Sequence, residues 1–187
     1  MVKRGFDLAL VLAATIILFV PILLVTIAVY FTSPGPVIYW SKRFGKNNLL
    51  FSMPKFRTMR IDTPEVATHL LSDPSTYLTS IGSFLRKSSL DELPQLFSIW
   101  LGDMSFVGPR PALFNQEDLI ELRTQHGVEV LRPGLTGWAQ INGRDELPIA
   151  VKVSLDAEYL QNQSLSFDIK ILWLTFLAVI HQKGVSH

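Results

Sequence analysis

The chain has 187 residues, enough for one domain and a membrane anchor, and its sequence contains no Cys. The composition therefore excludes disulfides, thiolate metal sites and a Cys nucleophile, and the four His residues are scattered without metal-site spacing. The net charge is +1, but residues 1–60 carry eight Lys or Arg against one acid, Asp7. Because these basic residues flank a long apolar segment, we expect them to face an anionic membrane surface rather than nucleic acid.

A continuous uncharged run over residues 8–31 follows Lys3 and Arg4 and predicts a membrane-inserted helix. Its 24 residues would form a helix about 36 Å long, against about 30 Å for the hydrocarbon core of a bilayer. A signal peptide would begin in the same way, but no small-residue cleavage site follows, so we expect the segment to be retained. Pro21 removes one backbone hydrogen bond near the middle and predicts a kink.

The charges on both sides of this run predict its topology. Lys3 and Arg4 precede it, and three basic residues lie within residues 42–46 after it. Positive charge favours the cytoplasmic side, so both ends should lie there, with a turn near Pro21. We therefore predict a re-entrant membrane helix over residues 1–36 and a cytosolic or interfacial domain over residues 37–187.

The remaining pattern predicts an α+β fold that is mostly α-helical. Ser33-Pro-Gly-Pro ends the first helix, and two short strands over residues 37–40 and 49–53 form a β-hairpin. Helices are expected over residues 81–87, 115–126, 147–160 and 167–180, which complete a helical cytosolic domain. In the last helix only residues 171–180 are uncharged, too few to span. It is expected to be an interfacial amphipathic helix, or to pack under the anchor.

Two adjacent acids, Asp91 and Glu92, stand just before an apolar run. Pro94 favours a helix that begins close to Leu93, whereas the Ser89-x-x-Glu92 pattern fits a capping box and an earlier start. In either register the acids lie at the positive end of a helix dipole, which favours their ionised forms. They could bind a divalent cation, attack an electrophile, or simply stabilise the helix.

Fixed cations accompany the acid pair along the chain. Arg86 and Lys87 precede it, and Arg110 follows it between two prolines. This arrangement suits a metal-bridged diphosphate better than a plain surface. Lys55 and Arg57 occupy alternate positions, which fits either a phosphate-binding edge or a solvated basic strand.

Four motifs in order along nearly the whole chain resemble the bacterial sugar transferase family, in particular its small monotopic phosphoglycosyl transferases. They are Lys-Phe-Arg-Thr-Met at residues 55–59, Arg-Lys-Ser-Ser-Leu-Asp-Glu-Leu-Pro-Gln at 86–95, Gly-Asp-Met-Ser-Phe-Val-Gly-Pro-Arg-Pro at 102–111, and Arg-Pro-Gly-Leu-Thr-Gly-Trp-Ala-Gln-Ile-Asn-Gly-Arg at 132–144. Asp156 and Tyr159 also match family positions, where we expect structural roles.

The resemblance implies a reaction and a site. A phosphosugar would pass from a UDP-sugar to a polyprenyl phosphate such as undecaprenyl phosphate, at the cytoplasmic face of the bacterial inner membrane, with release of UMP. Asp91 would be the covalent nucleophile, and Glu92 would orient the attack; Mg²⁺ would be bound by Asp91 and Glu92. The other implied substrate-binding residues are Lys55, Arg86, Arg110, Arg132, Gln140, Asn142 and Arg144.

A different class of function also explains part of the sequence. A membrane-anchored scaffold that binds anionic lipid without catalysis would account for the basic flank and the apolar run. It would not account for Asp91 and Glu92 between Arg86 and Arg110.

Overall fold

The computed structural model describes residues 2–64, 73–143 and 147–180 and has a mostly helical α+β fold with small sheets, which confirms the predicted fold class. The helices are α1 (Val2–Thr32), α2 (Gly82–Lys87), α3 (Gln95–Leu101), α4 (Glu117–Gln125), α5 (Trp138–Ile141), α6 (Ile149–Gln161) and α7 (Leu165–Ile180). The strands are β1 (Ile38–Phe44), β2 (Leu50–Phe56), β3 (Ser105–Val107), β4 (Ala112–Leu113) and β5 (Gly134–Thr136).

Helix α1 is long and apolar enough to cross a membrane, and it is the one such helix in the described part of the chain. It continues through Pro21 without interruption, so the predicted kink does not break the helix. One stripe of side chains at helical spacing faces the rest of the protein: Asp7, Val11, Ala14, Leu18, Ile22, Val25 and Val29. The opposite side exposes large apolar residues, including Ile16, Phe19 and Leu24.

Polar contacts hold the N-terminal end of α1 to the rest of the protein. Lys3 Nζ lies 2.6 Å from Oδ2 of the buried Asp168 on α7. Asp7 is buried as well and accepts a hydrogen bond of 3.0 Å from the Ser105 hydroxyl on β3. Arg4 donates to the carbonyls of the last turn of α3, at 2.5 and 2.8 Å. These bonds satisfy groups that a helix end or a buried acid would otherwise leave unpaired.

The C-terminal end of α1 is capped by a buried arginine. Arg57 Nη2 donates a hydrogen bond of 2.6 Å to the Ser33 carbonyl, just after the helix, where a cation opposes the negative end of the dipole. Arg57 thus fits neither alternative that its spacing from Lys55 suggested, a phosphate-binding edge or a solvated strand. Both ends of α1 are therefore bound to the same folded unit.

The predicted hairpin is confirmed and is longer than expected. β1 and β2 pair antiparallel from Ile38 opposite Phe56 to Phe44 opposite Leu50, and β4 adds to β1, giving the order β2-β1-β4. A separate parallel pair, β3 with β5, was not predicted. It requires glycine, because a Cβ on Gly134 would collide with the backbone of Gly108.

Candidate active site

Asp91 and Glu92 lie in a single 3-10 turn, Leu90–Glu92, between α2 and α3. Helix α3 begins at Gln95, two residues after the predicted start near Leu93. The predicted capping box is absent, because Ser89 adopts a left-handed conformation with φ of 56° and its side chain makes no capping hydrogen bond. The turn directs Asp91 inward, and the residue is only 8% exposed.

Lys55 on β2 forms ion pairs with both acids. Its Nζ lies 2.8 Å from Glu92 Oε1 and 3.8 Å from Asp91 Oδ2. All three side chains are largely buried, with exposed fractions of 17% for Lys55, 11% for Asp91 and 14% for Glu92. Solvent therefore screens these charges less than it would on an open surface.

Two predicted arginines complete the cationic surroundings. Arg110 Nη1 lies 3.7 Å from Glu92 Oε1, and its side chain remains 30% exposed. Arg86 at the end of α2 donates from Nε to the Thr58 hydroxyl at 3.0 Å, and it is close enough to Asp91 for each charge to affect the pKa of the other. Three separate segments of the chain thus bring Lys55, Arg86 and Arg110 to the two carboxylates.

Burial controls the acid–base properties of the site. It raises the pKa of Asp91 above the ordinary aspartate value, while Lys55 and Arg86 oppose this shift and the neighbouring Glu92 adds to it. Burial also lowers the pKa of Arg86, against the effect of Asp91. The expectation that a helix dipole makes Asp91 more acidic was wrong, because desolvation of a buried carboxylate exceeds the effect of a helix of seven residues.

The acid pair has the donor set for an ion that arrives with its substrate. Within residues 2–64, 73–143 and 147–180 there is no cluster of three or more His, Asp or Glu residues that would hold a metal by itself. Mg²⁺ usually keeps several waters and is bound through one or two carboxylates plus substrate phosphates. Two neighbouring carboxylates fit that mode, so the Mg²⁺ prediction stands as a proposal.

The other predicted substrate-binding residues make their bonds away from the acid pair. Arg132 donates to the Gly102 carbonyl at 2.8 Å, at the end of α3 opposite to the acids. Gln140 donates to the Leu135 carbonyl at 3.1 Å, and Asn142 donates to the Trp138 carbonyl at 2.8 Å. Arg144 lies outside the described residues. Substrate contacts of these four residues remain predictions.

Sequence reasoning missed a residue that contacts the site's backbone. The Arg123 side chain on α4 is only 11% exposed and donates from Nη1 to the Arg110 carbonyl at 2.8 Å. Its Nε and Nη2 donate to Asp156 Oδ2 at 3.0 and 2.7 Å. The structural role expected for Asp156 agrees with this ion pair. An arginine on the polar face of a predicted helix carries no signal of such a distant partner.

Comparison with known proteins agrees with this site. A family model described as Bacterial sugar transferase matches residues 1–182. The exopolysaccharide production protein ExoY of Rhizobium meliloti (strain 1021) is 41% identical over 98% of this chain and 88% of its own length. The UDP-glucose:undecaprenyl-phosphate glucose-1-phosphate transferase of Escherichia coli (strain K12) is 41% identical over 94% of this chain.

A third relative is the UDP-N-acetylgalactosamine-undecaprenyl-phosphate N-acetylgalactosaminephosphotransferase of Aeromonas hydrophila, 34% identical over 96% of this chain. The chain spans 39% of the length of the Escherichia coli protein and 44% of the Aeromonas protein. The transferase class that the motifs predicted is confirmed. The chain belongs to the bacterial sugar transferase family.

Proposed function

We propose that this protein transfers a phosphosugar from a UDP-sugar to a polyprenyl phosphate such as undecaprenyl phosphate, giving a polyprenyl diphosphate sugar and UMP. The observation that carries the proposal is the buried acid pair, Asp91 and Glu92, bordered by Lys55, Arg86 and Arg110. This arrangement presents a nucleophile and phosphate-binding cations together. The names of the Escherichia coli and Aeromonas relatives support the same reaction with two different sugars.

In the proposed mechanism Asp91 is the nucleophile. One of its carboxylate oxygens forms a bond to the phosphorus next to the sugar, the phosphoanhydride bond breaks, and UMP leaves with the bonding electron pair. A phosphate oxygen of the polyprenyl phosphate then attacks the same phosphorus, and the carboxylate of Asp91 is released. The covalent intermediate on Asp91 replaces one direct reaction between two anionic substrates with two separate displacement steps.

The cations of the site lower the repulsion between the carboxylate and the diphosphate. Arg110 and Arg86 are placed to hold phosphate oxygens. Lys55 can also bind a phosphate oxygen if it gives up its ion pair with Glu92. Mg²⁺, held by Asp91 and Glu92 with the substrate, would supply further neutralisation of the diphosphate charge. Glu92 would then orient both the ion and the attacking carboxylate.

The membrane arrangement that we propose is monotopic, at the cytoplasmic face of the bacterial inner membrane. Support comes from α1, because both of its ends bind the folded unit that carries the acid pair. A helix that crossed the bilayer would place those two ends on opposite sides of the hydrocarbon core. The exposed Trp173 and Phe176 on α7 support an interfacial position for that helix. The division at residue 36 remains a prediction.

A direct experiment is to measure UMP release by the purified protein in nanodiscs that contain undecaprenyl phosphate. UDP-glucose and UDP-N-acetylgalactosamine are the first donors of the panel, and each should be compared with its reaction in excess EDTA. We expect UMP release with at least one donor, loss of release in EDTA, and recovery with Mg²⁺. A folded protein that binds anionic vesicles but releases UMP from no UDP-sugar would contradict the proposal and favour the lipid-binding scaffold.

A further inference from the structure

We propose that Arg123, oriented by Asp156, is a positioning residue for Arg110 in this reaction, an inference that rests on the proposed function. Arg110 is the cation whose guanidinium faces Glu92 at 3.7 Å while its side chain stays partly open to solvent. A guanidinium binds phosphate oxygens in a planar fork, and it loses less conformational freedom on binding when the backbone that carries it is already held in place. Arg123 supplies that hold through the Arg110 carbonyl.

Arg123 makes three hydrogen bonds to two acceptor atoms, one on each of two partners, with one planar group. Nη1 donates to the Arg110 carbonyl at 2.8 Å, while Nε and Nη2 donate to Asp156 Oδ2 at 3.0 and 2.7 Å. Asp156 is 1% exposed and lies on α6, so its carboxylate is fixed by packing as well as by the ion pair. The guanidinium plane therefore has little freedom, and neither has the carbonyl that it holds.

The backbone around Arg110 is held from the other side too. The Gly108 amide donates to the Thr136 carbonyl, and the Gly134 amide donates to the Pro109 carbonyl, both at 2.9 Å. These bonds fix the residues before Arg110 on β5. The Arg123 bond acts on Arg110 itself, and the flanking prolines restrict rotation of the backbone between these anchors.

Lysine cannot replace Arg123 in this role, although it keeps the charge beside Asp156. A single ammonium group on a flexible stem cannot bind the carboxylate and the carbonyl in the fixed geometry of the guanidinium fork. The conservative variant therefore tests positioning while leaving the buried acid paired. Removing the charge instead would leave Asp156 buried without its partner, which destabilises the fold for an unrelated reason.

The test is a double-mutant cycle with Arg123→Lys and Arg110→Lys, measured by UMP release and by thermal unfolding in the same nanodiscs. We expect Arg123→Lys to lower kcat/KM for the UDP-sugar about 10- to 100-fold, as loss of a partner that orients a ligand group commonly does. The KM for polyprenyl phosphate should not change. In the Arg110→Lys background, the same substitution should cause less than about a twofold further loss, because the group that it positions is already gone.

Arg60→Lys provides the matched control, since Arg60 forms an exposed ion pair with Asp62 and should be silent in both assays. Independent losses that multiply in the double variant would overturn the positioning role while leaving the transferase function intact. Wild-type kinetics for Arg123→Lys would overturn it as well. Absence of UMP release from the wild-type protein would instead contradict the function, and the positioning role with it.

Discussion

Asp91 is subject to two opposing requirements. The attack on phosphorus needs its carboxylate form, whereas its burial raises its pKa and disfavours that form. Lys55 and Arg86 lower the pKa of Asp91 against this effect, so the cations that we assign to substrate phosphates also favour the ionised form of the nucleophile. A nucleophile that is partly desolvated in the free protein has less hydration to lose when the diphosphate arrives.

The desolvation of Asp91 predicts how stability depends on pH. A carboxylate with a raised pKa in the folded state binds its proton more tightly there, so ionisation destabilises the fold as the pH rises above the unfolded value of about 3.9. Asp91→Asn should therefore raise the unfolding temperature at pH 8, and the gain should shrink as the pH falls towards about 4. Thermal melts across this pH range measure the sign of the change in unfolding temperature. A lower unfolding temperature for Asp91→Asn at pH 8 would mean that ion pairing with Lys55 outweighs desolvation.

A substitution of Arg110 provides a second test of the proposed site. Arg110→Lys keeps the charge but removes the planar fork, and we expect kcat/KM for the UDP-sugar to fall on the order of 10- to 100-fold. The unfolding temperature should stay within about 2 °C, because the side chain is 30% exposed. Near wild-type kinetics in the UMP-release assay would reduce Arg110 to a simple charge.

Helix α1 shows how an apolar element is joined to a small domain by a few polar residues. Its packed stripe is apolar from Val11 to Val29, but the contacts at its N-terminal end are ionic and hydrogen-bonded. Asp168 is shared, since it accepts from Lys3 at 2.6 Å and from the Tyr159 hydroxyl at 2.6 Å. This acid therefore joins α1, α6 and α7 at one point.

Loss of Asp168 should be far more costly than loss of one of its donors. Asp168→Ala leaves Lys3 and Tyr159 without a shared acceptor and should lower the free energy of unfolding by about 3 kcal/mol. Tyr159→Phe removes only a hydroxyl and should cost about 1 kcal/mol. Denaturant or thermal unfolding measures both, with Arg60→Ala as an exposed control. Equal costs for the two variants would show that Asp168 does not join the three helices.

For the molecule as a whole, features with a local sequence pattern could be predicted, whereas contacts between residues far apart in the chain could not. The uncharged run, the hairpin and the acid pair between Arg86 and Arg110 could be recognised, because they have periodicity, turn residues or contiguous motifs. Lys55 was assigned to the site only through the family resemblance. The bonds of Arg57 to Ser33, Arg132 to Gly102 and Arg123 to Asp156 could not. Each joins single polar residues far apart in the chain, and one such pair leaves no periodic signal.

The membrane arrangement can be tested on the intact molecule, because its 187-residue sequence contains no Cys. Single Cys residues at the exposed positions Val2 and Asn47 should both resist a membrane-impermeant thiol reagent in intact cells. Both should react once the inner membrane is opened, since a monotopic α1 keeps its two ends on the cytoplasmic side. Labelling of the Val2→Cys protein from outside, with the Asn47→Cys protein protected, would identify an ordinary transmembrane helix.

The covalent step at Asp91 can be followed by intact-protein and peptide mass spectrometry. Incubation with a UDP-sugar and Mg²⁺, without polyprenyl phosphate, should add the mass of one phosphosugar to the peptide that contains Asp91. Subsequent addition of polyprenyl phosphate should remove it. Asp91→Asn should lose both the adduct and turnover, whereas an Asp91→Asn protein with full turnover, or an adduct on another residue, would contradict the account.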